Sequence, residues 1–430
     1  MPYSRAFLSF WASREIAALG NGILFVALLA WTYNTEEKAI VVSIAMVALL
    51  LPPFLLSPLA NHLVQGPRSY PVAILARIAT IAALWPLLNA ASAKDQWLVL
   101  AAVFAAAIPI TFLRTSNRSL ARSLVERERR NTAKQTLADS RLLTLIVAPA
   151  AAAVIYDMRD FSLSALPACA AVAIGALALS TLLMLLARPS HWDIDTAEKP
   201  SLAAELALLQ QGMLTLWQRP LLRSMAALQL SATLLAGGLA VVQVALMIWG
   251  AFTSAENVGF VLAAQALGIA AVAVGRRFLR SELPANGAIA AGLGLISAGI
   301  FGLPVSDGLR IAVPCGFMIG LGLGLSGSTF RTFAQTLAPV GKEHAVRAAL
   351  AMAMEAMAIL SAILLGPLTD GLSTRYAASL LSVLAALLAL YSFGAAPNPD
   401  AMQTEGEVAH TTSDTLYDVG VDVPAATPAR

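Results

Sequence analysis

Apolar residues dominate long stretches of this chain, and short polar segments separate one stretch from the next. A helix needs about 20 mainly apolar residues to cross a bilayer, and on that scale the pattern predicts twelve spans. They cover residues 7–31, 39–60, 72–91, 97–118, 138–156, 162–188, 221–250, 257–275, 285–305, 309–333, 346–369 and 374–395. The fold class that follows is all-α integral membrane, with twelve transmembrane helices.

A polar segment at 189–220 divides the spans into six and six. Within it, Ser201 is a good N-cap residue and Glu205 lies in the first turn that would follow, so a helix is expected to start there. One side of this helix is apolar and consists of Leu202, Leu206, Leu209, Met213 and Leu216. It is either a helix that lies on the membrane surface or an ordinary solvated linker helix.

Four regions follow from this division of the chain. A first six-helix bundle covers 1–188, a cytoplasmic linker with the amphipathic helix covers 189–220, and a second six-helix bundle covers 221–395. The remainder, 396–430, has few large apolar residues and is expected to be a disordered cytoplasmic tail.

Composition supports a membrane protein and gives no sign of an enzyme. Hydrophobic residues make up 58% of the chain and charged residues only 12%, whereas soluble domains carry roughly a quarter charged residues. A formal charge of +3 gives no reason to expect a nucleic-acid partner. Cys169 and Cys315 both lie in apolar spans and are expected to be core residues. We find no catalytic constellation and expect no metal site and no cofactor.

Basic residues are distributed unevenly between the two sides of the predicted topology. With the N-terminus in the cytoplasm, seventeen Lys and Arg fall on the cytoplasmic side and five on the other. The positive-inside rule therefore predicts cytoplasmic N- and C-termini. The first span carries Arg14 and Glu15 and is too long for a cleaved signal peptide, so we interpret it as a retained helix.

The two sets of six spans resemble each other. "TFLRTSNRSLARSLV" (111–125) aligns with "STFRTFAQTLAPV" (328–340), so that Arg114 matches Arg331. About 35 residues later come Ala148-Pro149 in the first set and Gly366-Pro367 in the second. Chance similarity between apolar helices is the alternative, but the combined pattern favours two repeated halves. Such halves form pseudo-symmetric bundles around a central cavity.

Several stretches resemble the major facilitator superfamily, and in particular its exporter branch with macrolide efflux proteins and the enterobactin exporter. "FLSFWASREIAALGNGILFVALLAW" is similar to the first span of that branch, and "LLPPFLLSPLANHLV" to the end of its second span. "LIVAPAAAAV" and "LLGPLTDG" resemble the antiporter motif, which places Ala148, Pro149, Gly366 and Pro367 in helix packing. The resemblance covers roughly 5–395 and implies a bacterial-type inner membrane protein that works by rocker-switch alternating access.

The chain departs from this family at two places. Asn21 stands where the family's first span has an Asp, which removes a protonatable group. Gln65-Gly66 stand where the family has Asp-Arg, in the loop that normally braces the cytoplasmic gate. The departures leave both the standard gate and the coupling mechanism open.

Ionisable residues inside the spans are the strongest functional signal, because each costs at least about 2.5–3.5 kcal/mol at a helix centre. Apart from Arg77, they belong to spans that line the central cavity in the superfamily fold, and most lie in its cytoplasmic half. They are six arginines and three acids: Arg14, Arg77, Arg114, Arg118, Arg141, Arg331, Glu15, Asp139 and Glu355.

Three interpretations of these charges remain open. An arginine near a helix end can reach the headgroups, which suits Arg118 and Arg141, whereas Arg77 suits a hydrogen bond to a neighbouring helix. A gate could form if Arg114 and Arg331 pair with Asp139 and Glu355. The excess of arginine also favours an anionic or zwitterionic substrate. The predicted substrate or gate residues are Arg14, Asn21, Arg114, Arg331 and Arg141.

Proton coupling requires a carboxyl group that titrates during transport. Glu355 is the best candidate, since it is deep and has no charged sequence neighbour, while Glu15 and Asp139 lie close to arginines. A permanently paired acid is the alternative for all three.

The sequence therefore predicts a proton-coupled exporter of a small organic molecule, with an anionic siderophore or related metabolite favoured. The alternatives are a multidrug or macrolide efflux pump, a siderophore importer, a lysophospholipid carrier and, in a different class, a non-transporting receptor. The expected partners are the substrate, protons and the lipid bilayer, and the protein is expected to be a monomer.

Overall fold

Thirteen α-helices make up nearly all of the described part of the chain. The computed structural model describes residues 4–36, 38–64, 66–90, 92–125, 129–158, 165–188, 201–249, 256–278, 285–306, 308–336, 338–339 and 341–394, and some side chains within these ranges are also outside the description. The helices are α1 (Arg5–Glu36), α2 (Ala39–Leu63), α3 (Ser69–Leu84), α4 (Gln96–Ser123), α5 (Arg130–Asp157), α6 (Ala165–Leu186), α7 (Leu202–Gln218), α8 (Pro220–Trp249), α9 (Glu256–Phe278), α10 (Ala285–Gly302), α11 (Leu309–Thr336), α12 (Glu343–Leu372) and α13 (Thr374–Gly394).

Twelve helices of the described chain are long and apolar enough to span a membrane, which confirms the predicted number of spans. Several helices extend beyond their predicted ends. Helix α4 continues to Ser123 rather than ending at 118, and α5 begins at Arg130 rather than 138. Hydropathy detects only the apolar part of a helix, so it misses the polar turns beyond it.

Packing within each set of six helices follows the same pattern. In the first half, α1 packs on α5 and α6, α3 packs on α4 and α6, and α2 packs on α4. In the second half, α8 packs on α12 and α13, α10 packs on α11 and α13, and α9 packs on α11. Helices α4, α5, α11 and α12 each contain one internal proline: Pro109, Pro149, Pro314 and Pro367. The predicted pair of pseudo-symmetric bundles is thus confirmed.

The linker helix α7 begins as the sequence predicts. The hydroxyl of Ser201 accepts a hydrogen bond from the backbone N–H of Ala204 at 3.1 Å, which caps the helix. Helix α7 packs against the start of α12, where Gly212 lies directly on the backbone of Ala345. We call this end of the bundle the α7 end and the opposite end the far end. The predicted tail, 396–430, lies outside the described residues.

The two halves approach each other closely at the far end. Helix α2 packs on α12 and α5 packs on α9, two contacts related by the same pseudo-symmetry. Gly366 on α12 lies against Ser43 near the start of α2, and Gly259 near the start of α9 lies against the backbone of Pro149 on α5. Toward the α7 end, α4 and α11 show no comparable packing against the opposite half among the described residues.

Candidate functional site

The charged residues of α1 form the base of the candidate site. Arg14 and Glu15 are half-buried neighbours whose Nη1 and Oε1 atoms are 3.4 Å apart. The same Nη1 donates a hydrogen bond to the backbone carbonyl of Leu137 on α5 at 3.2 Å. Arg14 therefore links the two helices as well as neutralising the acid beside it.

A threonine that the sequence analysis did not identify completes the link between α1 and α5. The hydroxyl of Thr144 donates a hydrogen bond to Oε2 of Glu15 at 2.8 Å. Nearer the far end, the hydroxyl of Tyr156 donates to the carbonyl of Ala27 at 2.8 Å. Thr144 comes three residues after Arg141, and residues three apart are neighbours on a helix surface. This spacing was the one sequence feature that connected Thr144 with the charged residues.

Four further charged residues on three helices act electrostatically on Arg14 or on one another. Arg141 on α5 acts electrostatically on Arg14 of α1 and on Arg114 of α4. Glu355 on α12 interacts with Arg114 and Arg118. Arg114 and Glu355 belong to different halves of the protein, so this attraction crosses the boundary between the bundles.

Most of these charges lie at one depth. Counted from the helix ends nearest α7, Arg14 is 9 residues into α1, Arg141 is 11 into α5, Glu355 is 12 into α12 and Arg114 is 9 from the end of α4. At 1.5 Å per residue this places them about 14–18 Å from the helix ends. Because α4 ends at Ser123 and not at 118, Arg114 is 9 residues from the helix end, whereas the predicted span placed it 4 residues from the end. We call Arg14, Glu15, Arg114, Arg118, Asp139, Arg141 and Glu355 the charged layer, in which Asp139 is 9 residues into α5.

Arg118 is 5 residues, or about 8 Å, from the end of α4, so it lies nearer the α7 end than the other members of the layer. This position also suits the predicted arginine that reaches the headgroups, but the charge interactions of Arg118 connect it to the layer. It is exposed on α4, and its charge acts on both Arg114 and Glu355. Its position one turn after Arg114 explains this, because residues four apart share a helix face.

The remaining predicted site residues are Asn21, Asp139 and Arg331. Asn21 is half-buried on α1, between Gly20, which faces α6, and Gly22, which faces Ala148 of α5. Asp139 is half-buried on α5. Helix α11 includes Arg331, but its side chain lies outside the described residues, so its predicted pairing with an acid stays a prediction.

The two copies of the Pro-containing motif occupy different contacts. Ala148 is buried where α5 crosses α1 within the first half, and a Cβ on Gly22 would be 2.6 Å from its Cβ. Gly366 instead lies where α12 meets α2 between the halves, and Pro367 follows it. Both copies provide small residues at helix crossings, with Pro149 also lining the contact to α9.

Arg77 has a structural environment, as its isolated position in α3 suggested. Its side chain is completely buried. Its Nε donates to the hydroxyl of Ser180 at 2.9 Å, Nη2 donates to the hydroxyl of Ser13 at 3.1 Å and Nη1 donates to the carbonyl of Ala73 at 2.9 Å. One guanidinium thus joins α3 to α6 and to α1. Its partner on α1, Ser13, directly precedes Arg14.

Solved structures with a similar fold are membrane transporters. The chain is similar to a POT family transporter in complex with 5-aminolevulinic acid, with a TM-score of 0.68 and 12% identity over 90% of this chain and 95% of that one. It is equally similar to the nucleoside transporter NupG, with a TM-score of 0.69 and 12% identity over 90% of this chain and 99% of that one. No protein-family profile and no curated protein sequence matches the chain. At this identity the likeness establishes the fold alone, which this chain shares with both transporters.

Proposed function

We propose that the protein is a secondary active transporter of the inner membrane that carries a small organic anion by alternating access. A siderophore or related metabolite, moved outward, is the substrate that the resemblance to the exporter branch favours. The α7 end would face the cytoplasm, in agreement with the distribution of basic residues. The fold supports transport as the activity, and the charged layer supports an anion as the substrate.

The imbalance of charge in the layer is the observation that carries this proposal. Four arginines and three carboxylates lie there, with Asp139 at the depth of Arg14, and Glu15 is already paired with Arg14. A gate that closes by ion pairing alone needs equal numbers of both signs. The excess positive charge is suited to a carboxylate, phosphate or catecholate, which guanidinium groups bind through two parallel hydrogen bonds.

Arg114 and Glu355 connect substrate binding to the movement of the two halves. When the halves close at the α7 end, the attraction between them would hold α4 and α12 together. A substrate anion would compete with the Glu355 carboxylate for Arg114. Protonation of Glu355 removes that competitor, so that a proton and an anion bind together more readily than either alone.

This linkage favours a second candidate, an importer. A transporter that binds proton and anion together moves both in one direction, so an inward proton gradient would drive uptake. Outward movement would then follow the gradient of the accumulated substrate. Import of an anionic siderophore is thus the alternative that the Arg114–Glu355 pair supports.

Comparative metabolite profiling tests the function as a whole. The intracellular and extracellular metabolites of a strain lacking the gene would be compared with those of its parent and of a complemented strain. Export predicts an anionic compound that accumulates in the cells and declines in the medium, whereas import predicts the reverse. A deletion strain with unchanged anions but a new sensitivity to neutral or cationic drugs would contradict an anionic substrate.

Reconstitution then tests the coupling. Purified protein in liposomes would be given the identified anion with an imposed pH gradient of either sign. Movement of the anion with the proton supports the linkage through Glu355, and movement against it supports an antiporter. Transport that ignores the pH gradient would contradict proton coupling altogether.

A further inference from the structure

One carboxylate on α12 caps the first turn of α2 in the opposite half. The Oδ1 atom of Asp370 accepts a hydrogen bond from the backbone N–H of Ala39 at 2.7 Å, and its Oδ2 atom accepts one from the N–H of Ile40 at 3.0 Å. Lys38, at the N-cap position of α2, makes no capping hydrogen bond with its side chain. The cap that α2 lacks in its own sequence is therefore supplied by the other bundle.

Asp370 is poorly placed for its own helix. It lies in the last turn of α12, which ends at Leu372. A negative charge near a helix C-terminus is unfavourable, whereas the same charge at a helix N-terminus is stabilising. The charge of Asp370 is unfavourable at the end of α12 and favourable at the start of α2. The favourable interaction with α2 offsets the unfavourable one only while the two halves are in contact.

The backbones of the two helices also come unusually close at this point. One turn before Asp370, a Cβ added to Gly366 would lie 2.8 Å from the Cβ of Ser43 and 3.0 Å from the Cα of Ile40. Only a residue without a side chain fits between the helices there, and this proximity lets the short aspartate side chain reach the α2 backbone. Asp370 itself is exposed to solvent at the far end.

We propose that Asp370 is a latch that holds the two halves closed at the far end. The latch rests on the alternating-access function proposed above, because it is released whenever the halves separate at that end.

Spin-label distances between the halves measure the state of the latch directly. Met158 and Tyr376 are exposed at the far end of the two halves, with 78% and 72% of their surface accessible. Labels would be attached to Met158→Cys and Tyr376→Cys in full-length protein in lipid nanodiscs, with Cys169→Ala and Cys315→Ala in the background. Asp370→Asn is expected to raise the ratio of separated to closed molecules about tenfold, because it removes a charged acceptor of two hydrogen bonds.

Two further variants separate a latch from a simple helix cap and from a loss of charge. Asp95→Asn removes an acid at the same end whose side chain, among the described residues, accepts hydrogen bonds from Ser92 of its own loop, so the ratio should not change. Lys38→Asp combined with Asp370→Asn restores a cap to α2 from within the same half. The double variant should regain thermal stability but keep the raised ratio. A double variant that returns to the wild-type ratio, or an Asp370→Asn protein with unchanged distances, would overturn the latch.

The distances are measured without any substrate, so the latch and the proposed function can fail separately. A shift in Asp370→Asn together with no transport of any anion would leave the latch standing and remove the substrate proposal. Transport by the wild type together with no shift in Asp370→Asn would do the opposite.

Discussion

Thr144 on α5 donates its hydroxyl proton to the carboxylate of Glu15 on α1, with 2.8 Å between the two oxygens. The other carboxylate oxygen, Oε1, is buried and lies 3.4 Å from Arg14 without forming a well-aligned hydrogen bond. Thr144 is therefore the best hydrogen-bond partner that the described residues offer to this acid. It fixes Glu15 of α1 against α5.

Replacing Thr144 with Val should weaken the junction between α1 and α5. Valine keeps the shape of threonine but removes the donor, and an unsatisfied buried group costs about 1–3 kcal/mol. We expect a melting temperature lower by several degrees in detergent. Thr144→Ser keeps the hydroxyl and serves as the control. A Val variant as stable as the Ser variant would mean that water replaces the lost donor.

Replacing Arg114 with Ala should distinguish substrate binding from gating. If Arg114 binds the substrate anion, the variant should lose affinity for the anion by about tenfold or more, while a neutral analogue of similar shape is affected little. If Arg114 serves only the gate through Glu355, binding of both compounds should change equally. Equilibrium binding of the two compounds to purified protein measures this. Arg122→Ala, nearer the end of α4, is the control.

The sequence predicted the helices well and their mutual contacts poorly. Hydropathy and the spacing of apolar runs sufficed for twelve spans and for the α7 cap at Ser201, because both depend on neighbouring residues. The repeat correctly indicated two bundles. It also suggested equivalent roles for Ala148 and Gly366, yet one packs within a half and the other between halves. The partner of a small residue depends on how the bundles meet, which local sequence does not record.

The charged layer was predicted as a set of residues, but its internal pairing was not. Glu355 was expected to act alone or with Arg114, and it interacts with Arg118 as well. Thr144 and Asp370 were not singled out, since a threonine in a span and an acid at a helix end are ordinary in sequence. Their partners lie 129 and 331 residues away.

The Arg77 network makes a prediction about stability rather than transport. Arg77→Lys retains the charge, but its donors all lie on one nitrogen, whereas Arg77 reaches Ser13, Ser180 and the Ala73 carbonyl from three nitrogens of a planar group. Loss of these bonds between α1, α3 and α6 should destabilise the protein by about 1–3 kcal/mol. Thermal unfolding in detergent measures it, with exposed Arg118→Lys as the control. Equal melting temperatures for the two variants would contradict a structural role.

Gly212 makes a prediction about the attachment of the linker helix. A Cβ at this position would collide with the backbone carbonyl of Ala345 and lie 2.8 Å from the Cβ of Ala349. Backbone atoms cannot move aside, so Gly212→Ala should displace α7 from α12 and make the linker more sensitive to protease. Gly175→Ala on α6 is the control, because its Cβ would meet nothing within 4 Å. Equal rates of linker cleavage in the two variants would show that α7 tolerates the shift.

Glu355→Gln should separate proton coupling from substrate binding. Glutamine has the shape of a protonated glutamate and no charge, so Arg114 loses its competitor permanently. The variant should bind the anion at least as tightly as the wild type does at low pH, and its affinity should no longer change with pH. In liposomes, a pH gradient should fail to drive net transport, while exchange of labelled for unlabelled anion should continue. Glu15→Gln is the comparison, since that acid is already paired with Arg14. If Glu355→Gln retains pH-driven accumulation and Glu15→Gln loses it, the coupling carboxylate is Glu15.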